Sequence, residues 1–321
     1  MTQEKLIVVL GPTASGKTGL SIEIAKWLDT EIISGDSQLV YRGFDIGSAK
    51  PDMKERNGIK HHMIDILPPE ANFNVADFIQ QVKPLITAIN NRGKIPILAG
   101  GTGLYIKSLI EGYQFNETAG DEVYRAKLEK LAEENGKGYV HDMLMKINPE
   151  AAQRIHVNNL RRVIRALEVY HKGGEQISVN KEAALVYDAY VIGLSWQRST
   201  LYDRINRRVD VMLQQGLADE VKGLLRQGVP EYCQAMRGIG YKEMLRHVIG
   251  QESLTEIGEA IKKATRHFAK RQLTWYRRMP YIHWYHPELY RGKGLLQNVI
   301  WNIGRYYPAL TGAKALFKLS T

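Results

Sequence analysis

The stretch KLIVVLGPTASGKTGLSIEIAKWL, residues 5–28, decides the fold. Residues 6–10 form an unbroken apolar run within a strand expected at 5–10, as in a strand buried on both faces of a parallel sheet. Residues 17–28 read as a helix. Between them, Gly11-Pro12-Thr13-Ala14-Ser15-Gly16-Lys17-Thr18 fits G-x-x-x-x-G-K-[ST] with the strand and helix that a phosphate loop requires on either side. The backbone N–H groups of residues 13–18 are expected to cradle a di- or triphosphate at the helix N-terminus. Lys17 neutralises phosphate oxygens, and the Thr18 hydroxyl is a candidate Mg²⁺ ligand. The motif identifies phosphates, not the molecule that carries them.

Working outward, the first 112 residues alternate strands and helices. Strands are expected at 31–34, 62–67 and 94–99, with a helix at 75–90. This is the pattern of a doubly wound α/β sheet. The alternation stops after 116. Charged helical stretches occupy 121–134, 139–147, 149–155 and 159–172, and strand character returns only at 187–194. The chain therefore reads as an α/β core, 1–116 with 186–307, interrupted by a helical insertion at 117–185. The remaining segments are helical, at 199–215, 218–226 and 254–279. Ser253 and Glu256 form a capping box at the start of the last of these, and Pro280 marks its end.

Ligands of open α/β sheets sit at the carboxyl ends of the strands. Ser34-Gly-Asp-Ser-Gln-Leu39 lies at such an end, with Asp36 facing the phosphate site. Asp36 suits a general base, or a partner to Mg²⁺ at one remove, in preference to the alternative of a helix N-cap. Gly100-Gly-Thr-Gly-Leu-Tyr105 follows the next strand. Thr102 there is read as the cap of the following helix and as a possible substrate contact. Basic residues recur in Arg204-Ile-Asn-Arg-Arg208, either as a diphosphate clamp or as a solvated helix face. Lys262, Lys263, Arg266, Lys270 and Arg277 share one side of the 254–279 helix.

Charge is unevenly spread. Residues 1–195 carry 23 basic and 24 acidic side chains, so the net charge of +10 comes entirely from the remainder. Such asymmetry suggests a polyanionic partner. The lone cysteine, Cys233, excludes an internal disulfide framework and fits a cytoplasmic location. No apolar stretch approaches the roughly 20 residues of a membrane span, so no membrane partner is expected. A small-molecule kinase would share the phosphate loop but needs no strongly basic region. A non-catalytic RNA-binding module would not need the intact Gly16-Lys17-Thr18.

Eight stretches together resemble the tRNA dimethylallyltransferases, also called tRNA isopentenyltransferases. They are GPTASGKT (11–18), DSQLVYRGFDIGSAKP (36–51), HHMIDI (61–66), ILAGGTGLY (97–105), RRVIRALEVY (161–170), LYDRINRRVDVM (201–212), RGIGYKE (237–243) and AKRQLTWYRR (269–278). The resemblance implies transfer of a dimethylallyl group from dimethylallyl diphosphate, with Mg²⁺, to N6 of the adenosine 3′ of the anticodon in tRNA. It implies that residues 11–18 hold the prenyl diphosphate and that the 117–185 insertion grips the anticodon stem-loop. By the same likeness Asp36 is the catalytic base, Thr102 meets the target adenosine, and Arg208 meets the diphosphate. Asp36, Ser37, Gln38, Leu39, Thr102, Arg125, Arg161, Arg162, Arg165, Arg237, Gly238, Ile239, Gly240, Tyr241 and Lys242 match tRNA-contacting positions. The enzyme is expected to act as a monomer.

Overall fold

Leu6 to Leu10 are all fully buried, because the strand they form has neighbours on both edges and cover on both faces. The computed structural model describes residues 3–113, 121–173, 185–250 and 252–311. The chain divides into two units, Met1–Glu111 with Leu185–Thr321, and Gly112–Ala184. The expected start of the insertion at 117 lies outside the described residues.

The first unit opens with β1 (Lys5–Leu10), α1 (Lys17–Leu28), β2 (Ile32–Ser34), α2 (Met53–Arg56) and β3 (His61–His62). It continues with α3 (Val75–Asn91), β4 (Ile97–Gly100) and α4 (Gly103–Ile110). The sheet has six strands, all parallel, in the order β3-β2-β4-β1-β5-β6. On one face Ile7, Val9, Ile97, Ile192 and Leu194 pack with Ile24 of α1 and with Val299 and Ile303 near the C-terminus. The intervening Val8, Leu98 and Val191 are buried as well.

Two strand expectations are corrected. β3 stops at His62 rather than Leu67, because Met63 and Asp65 take positive φ and break the extended chain. Asp65 is turned to meet the ammonium of Lys50 at 2.5 Å. A sixth strand, β6, forms at Ile282–Tyr285, where the sequence reading placed none.

The second unit contains α5 (Glu122–Ile147), α6 (Pro149–Arg154) and α7 (Leu160–His171). α5 is broken at Gly136 (φ 84°, ψ 158°), which accounts for its reading as two helices. Leu128, Val140, Leu144, Val163 and Leu167 form its own apolar core. Glu168 ties the unit together. Its carboxylate is fully buried and accepts the Asp121 N–H at 2.6 Å, Arg125 at 2.8 Å and Arg165 at 2.6 Å.

The chain then returns to the first unit as β5 (Asp188–Leu194), α8 (Arg198–Gln214), α9 (Leu217–Arg226), α10 (Tyr241–Val248) and α11 (Leu254–Tyr276), followed by β6 and α12 (Gly294–Tyr306). The Ser253–Glu256 capping box opens α11, which ends at Tyr276 instead of Met279. Departure and return of the insertion are bonded to each other: the Val186 N–H donates to the Ile110 carbonyl at 2.9 Å.

Burial raises the pKa of Glu168, but bonds from Arg125, the Asp121 amide and Arg165 outweigh it and hold the carboxyl below its ordinary 4.5. Its folded pKa is thus depressed, so its contribution is complete above about pH 4.5 and fades as pH falls through the folded value. Glu168→Ala should destabilise the helical unit by about 2–3 kcal/mol. The loss is smaller than for a stranded buried charge, because both arginines reach solvent. Hydrogen exchange of peptides from 121–173 in the full chain measures it; unchanged protection would refute the role.

Candidate active site

β1 ends at Leu10, and the chain turns through Gly11–Gly16 into α1. Gly16 takes φ +91°, a conformation that L side chains rarely adopt, and starts the helix. The amides of Lys17, Thr18 and Gly19 then fall in the first turn of α1, where no intrahelical acceptor exists. The expected cradle of residues 13–18 is corrected at two positions. The Thr13 N–H donates to Gln272 Oε1 at 3.0 Å, and the Ser15 N–H to the Pro12 carbonyl at 3.2 Å. The loop carbonyls are braced as well. Arg204 Nε donates to Ala14 O at 2.8 Å, Trp196 Nε1 donates to Ser15 O at 2.9 Å, and the guanidinium of Arg204 lies 4.4 Å from the Trp196 ring.

The loop borders a cavity of about 800 Å³. Its other walls are α8, through Arg204, Arg207, Arg208 and Met212, and the segment 45–55, through Ile46, Ala49, Lys50 and Glu55. The α8 side is thus cationic, and the 45–55 side mixes apolar Ile46 and Ala49 with charged Lys50 and Glu55. Glu220 fastens the 45–47 wall by accepting the N–H groups of Asp45, Ile46 and Gly47 at 2.7–3.2 Å. Lys17 lines the cavity and is half-buried. Burial lowers its pKa to about 8; Asp36 acts against that and Arg208 with it. Burial likewise lowers Arg208, opposed by Asp36 and Glu55.

Asp36 follows β2 in a loop welded to the one after β4. The Gly35 N–H donates to Ala99 O at 2.8 Å, and the Ser37 N–H donates to Thr102 Oγ1 at 3.2 Å. Asp36 Oδ1 accepts the Gln38 N–H at 2.9 Å, a local turn. No helix begins there, so the N-cap alternative for Asp36 is set aside. Thr102 occupies the N-cap position of α4 but makes no capping hydrogen bond with its side chain, because the hydroxyl is turned to Ser37. These loops meet the phosphate loop at Lys17: a Cβ placed on Gly101 would lie 3.6 Å from Lys17 Nζ.

Ser37–Leu39 also abuts the segment 237–242, since a Cβ on Gly238 would meet Gln38 Oε1 at 2.8 Å. Within that segment Arg237 and Lys242 are exposed, Ile239 is half-buried, and the Gly240 N–H donates to Glu243 at 2.8 Å. Tyr241 is a correction. Its ring is fully buried against Phe44 and its hydroxyl donates to Glu220 at 2.7 Å, so its side chain is core and not an RNA contact. In the helical unit Arg161 and Arg162 are exposed, whereas Arg125 and Arg165 serve Glu168. The cationic side of α11 is smaller than its sequence suggests. Lys262 is paired with Asp210 at 2.8 Å and Glu259 at 3.0 Å, and Arg266 donates to Asn206 at 2.6 Å, leaving Lys263, Lys270 and Arg277 exposed.

Gln272, Trp196 and Glu220 were missed by sequence reasoning. Gln272 stood within a stretch noted only for its likeness, and no local pattern marks the other two. Among the described residues no group of three His, Cys, Asp or Glu side chains is arranged to hold a metal.

Comparison with known proteins gives one family. The IPP transferase model matches residues 39–279. The chain is 50% identical over 288 residues to the tRNA dimethylallyltransferase of Bacillus anthracis, covering 89% of this chain and 91% of that one. The counterpart in Bacillus cereus (strain 03BB102) is 50% identical over 286 residues, covering 88% and 90%. Among solved structures, the full-length tRNA isopentenylpyrophosphate transferase of Bacillus halodurans is similar with a TM-score of 0.73 and 42% identity, covering 96% and 98%. A eukaryotic dimethylallyltransferase acting on tRNA has a TM-score of 0.79 and 29% identity, covering 92% and 78%.

The depressed pKa of Lys17 makes anion binding pH-dependent. The ammonium is charged below about pH 8 and loses its proton above it. The ratio of wild-type to Lys17→Met affinity for inorganic pyrophosphate should therefore fall between about pH 6.5 and 9.5. Calorimetric titration measures it, and a ratio constant with pH would refute the assignment.

Proposed function

The chain belongs to the IPP transferase family, and we propose that it transfers the dimethylallyl group of dimethylallyl diphosphate to N6 of the adenosine 3′ of the anticodon in tRNA. The products are N6-isopentenyladenosine and diphosphate. The observation that carries this reading is the junction at Lys17, where the phosphate loop lies against the paired loops bearing Asp36 and Thr102. A leaving-group cradle and a proton acceptor are thereby adjacent.

In the reaction, the bond between C1 of the allyl group and the bridging oxygen breaks, and its electron pair leaves with the diphosphate. The new bond joins C1 to adenine N6. The first-turn amides of α1, Lys17 and Arg208 stabilise the charge gathering on the diphosphate. Arg204 and Arg207, which line the same cavity, add to that field. The exocyclic amine is a weak nucleophile and must shed a proton as it attacks. Asp36, with Oδ1 engaged by Gln38, takes that proton on its other oxygen. An adenine within the stack cannot reach these groups, so the base is flipped out, with Thr102 at its edge.

The exposed Thr18 hydroxyl at the cavity suits Mg²⁺, which binds through one or two protein oxygens together with phosphate oxygens and water. When bound, the ion supplies charge neutralisation at the diphosphate. We assign the anticodon stem-loop to the helical unit, with Arg161 and Arg162 as its exposed phosphate contacts, and to Ser37–Leu39, Arg237–Gly240 and Lys242 on the core. We read the enzyme as a monomer. No described helix is long and apolar enough to cross a membrane, and we place the enzyme in the cytoplasm with its RNA substrate.

Incubation with unmodified tRNA and dimethylallyl diphosphate should add one prenyl mass to the RNA, whereas ATP should add none. Asp36→Asn should lower single-turnover rates by about 10²–10⁴-fold with little change in either dissociation constant. Full rescue by excess Mg²⁺ would instead make Asp36 a metal partner. Reversing Lys263, Lys270 and Arg277 should weaken tRNA binding and flatten its salt dependence. An unchanged slope of log K against log salt would mark that face as solvated surface only.

A further inference from the structure

Two stretches, ILAGGTGLY (97–105) and AKRQLTWYRR (269–278), carry much of the family likeness, and they interlock. Gln272, on α11, is only 6% exposed. Its Oε1 accepts the Thr13 N–H at 3.0 Å, and its Nε2 donates to the Gly101 carbonyl at 2.8 Å. One turn later the buried Tyr276 hydroxyl donates to the same Gly101 carbonyl at 2.7 Å and lies 3.3 Å from that of Gly11. A single helix thus pins the phosphate loop to the loop that carries Thr102. Thr102 in turn holds the Ser37 amide, next to Asp36. The connection from Thr13 to Asp36 runs through short, buried or half-buried steps.

The glycines of residues 100–103 acquire a reason here. A Cβ at 101 would lie 2.7 Å from Gln272 Nε2, and one at 103 would lie 2.3 Å from the Trp275 indole. Without side chains at both positions, α11 comes close enough for its amide to bridge the loops. A side-chain amide presents a donor and an acceptor on two separate atoms of one terminus. Glutamate would keep the Thr13 bond and set a carboxylate oxygen against the Gly101 carbonyl. Methionine would fill the space, leave the Thr13 N–H without its partner and leave the Gly101 carbonyl with the Tyr276 hydroxyl alone.

We propose that Gln272 is a positioning residue that sets the separation between the diphosphate and the flipped adenine. It acts through the Thr13 amide and the Gly101 carbonyl, not through the reacting atoms. The inference rests on the transfer reaction assigned above and adds a determinant of its rate.

The test uses the full chain with Gln272→Glu and Gln272→Met. Single-turnover transfer is measured with both substrates saturating. Dissociation constants for dimethylallyl diphosphate and tRNA are measured separately, and thermal unfolding checks folding. The rate should fall about 10²-fold, as expected for a misplacement of about 1 Å. Both dissociation constants should stay within about threefold of wild type. Gly101→Ala displaces the amide from the other side and should give a similar fall. Combined with Gln272→Met it should add little, because both act on one contact. If the Gln272 variants do not fold, Tyr276→Phe, which removes one hydroxyl and keeps the ring, should still slow transfer about tenfold. Folded variants with near-wild-type rates, additive losses, or a defect confined to a dissociation constant would overturn the inference. If the wild type binds both substrates and transfers nothing, the reaction assignment itself falls, which is a distinguishable result.

Discussion

Lys17 is a half-buried ammonium group on the wall of the cavity, and the catalytic unit is arranged around that fact. Burial alone disfavours its charge, and Arg208 disfavours it further; Asp36 is the opposing influence. Two half-buried cations on one cavity, against a single nearby carboxylate, favour the arrival of an anion. The parallel sheet brings them together. β2, β4 and β1 are consecutive neighbours running the same way, so their carboxyl ends deliver residues 34–39, 100–103 and 11–18 side by side. The loops after β1 and β4 are each, alone, an ordinary strand–helix turn.

What was legible in the sequence was local. The β1–loop–α1 unit declares itself because its apolar run, its glycines and its helical spacing fall within 24 consecutive residues. Asp36 and Thr102 were legible as residues that close strands. What was not legible depended on distant partners. β6 is four residues long, and pairing with β5 makes it a strand. The run after His62 looks extended, yet Lys50 draws Asp65 into a turn. Gln272 meets Thr13 across 259 positions of chain, and no spacing rule reaches that far. Tyr241 sits in a stretch with exposed basic neighbours, and only its packing against Phe44 shows that it faces inward.

Counting charges along the sequence overstated the free positive field. The basic excess of residues 196–321 is real, but Lys262 and Arg266 are occupied by neighbours on α8. In the helical unit the same holds for Arg125 and Arg165, whose guanidinium groups complete a buried carboxylate. A polyanion meets the cations left over, and these are fewer and more localised than the composition implies. Surface electrostatics and internal cohesion draw on the same residue types, and only geometry separates them.

The bond between Val186 and Ile110 has a topological consequence. A segment whose two ends are fastened together is, for the rest of the chain, a closed excursion. The sheet is complete on either side of it, because β4 and β5 flank β1 whatever lies between them in sequence. Lengthening the excursion changes the closure entropy only logarithmically, by about 0.6 kcal/mol per doubling. The junction is therefore a point where evolution or engineering can exchange one inserted helical module for another while the sheet and its loops are left in place.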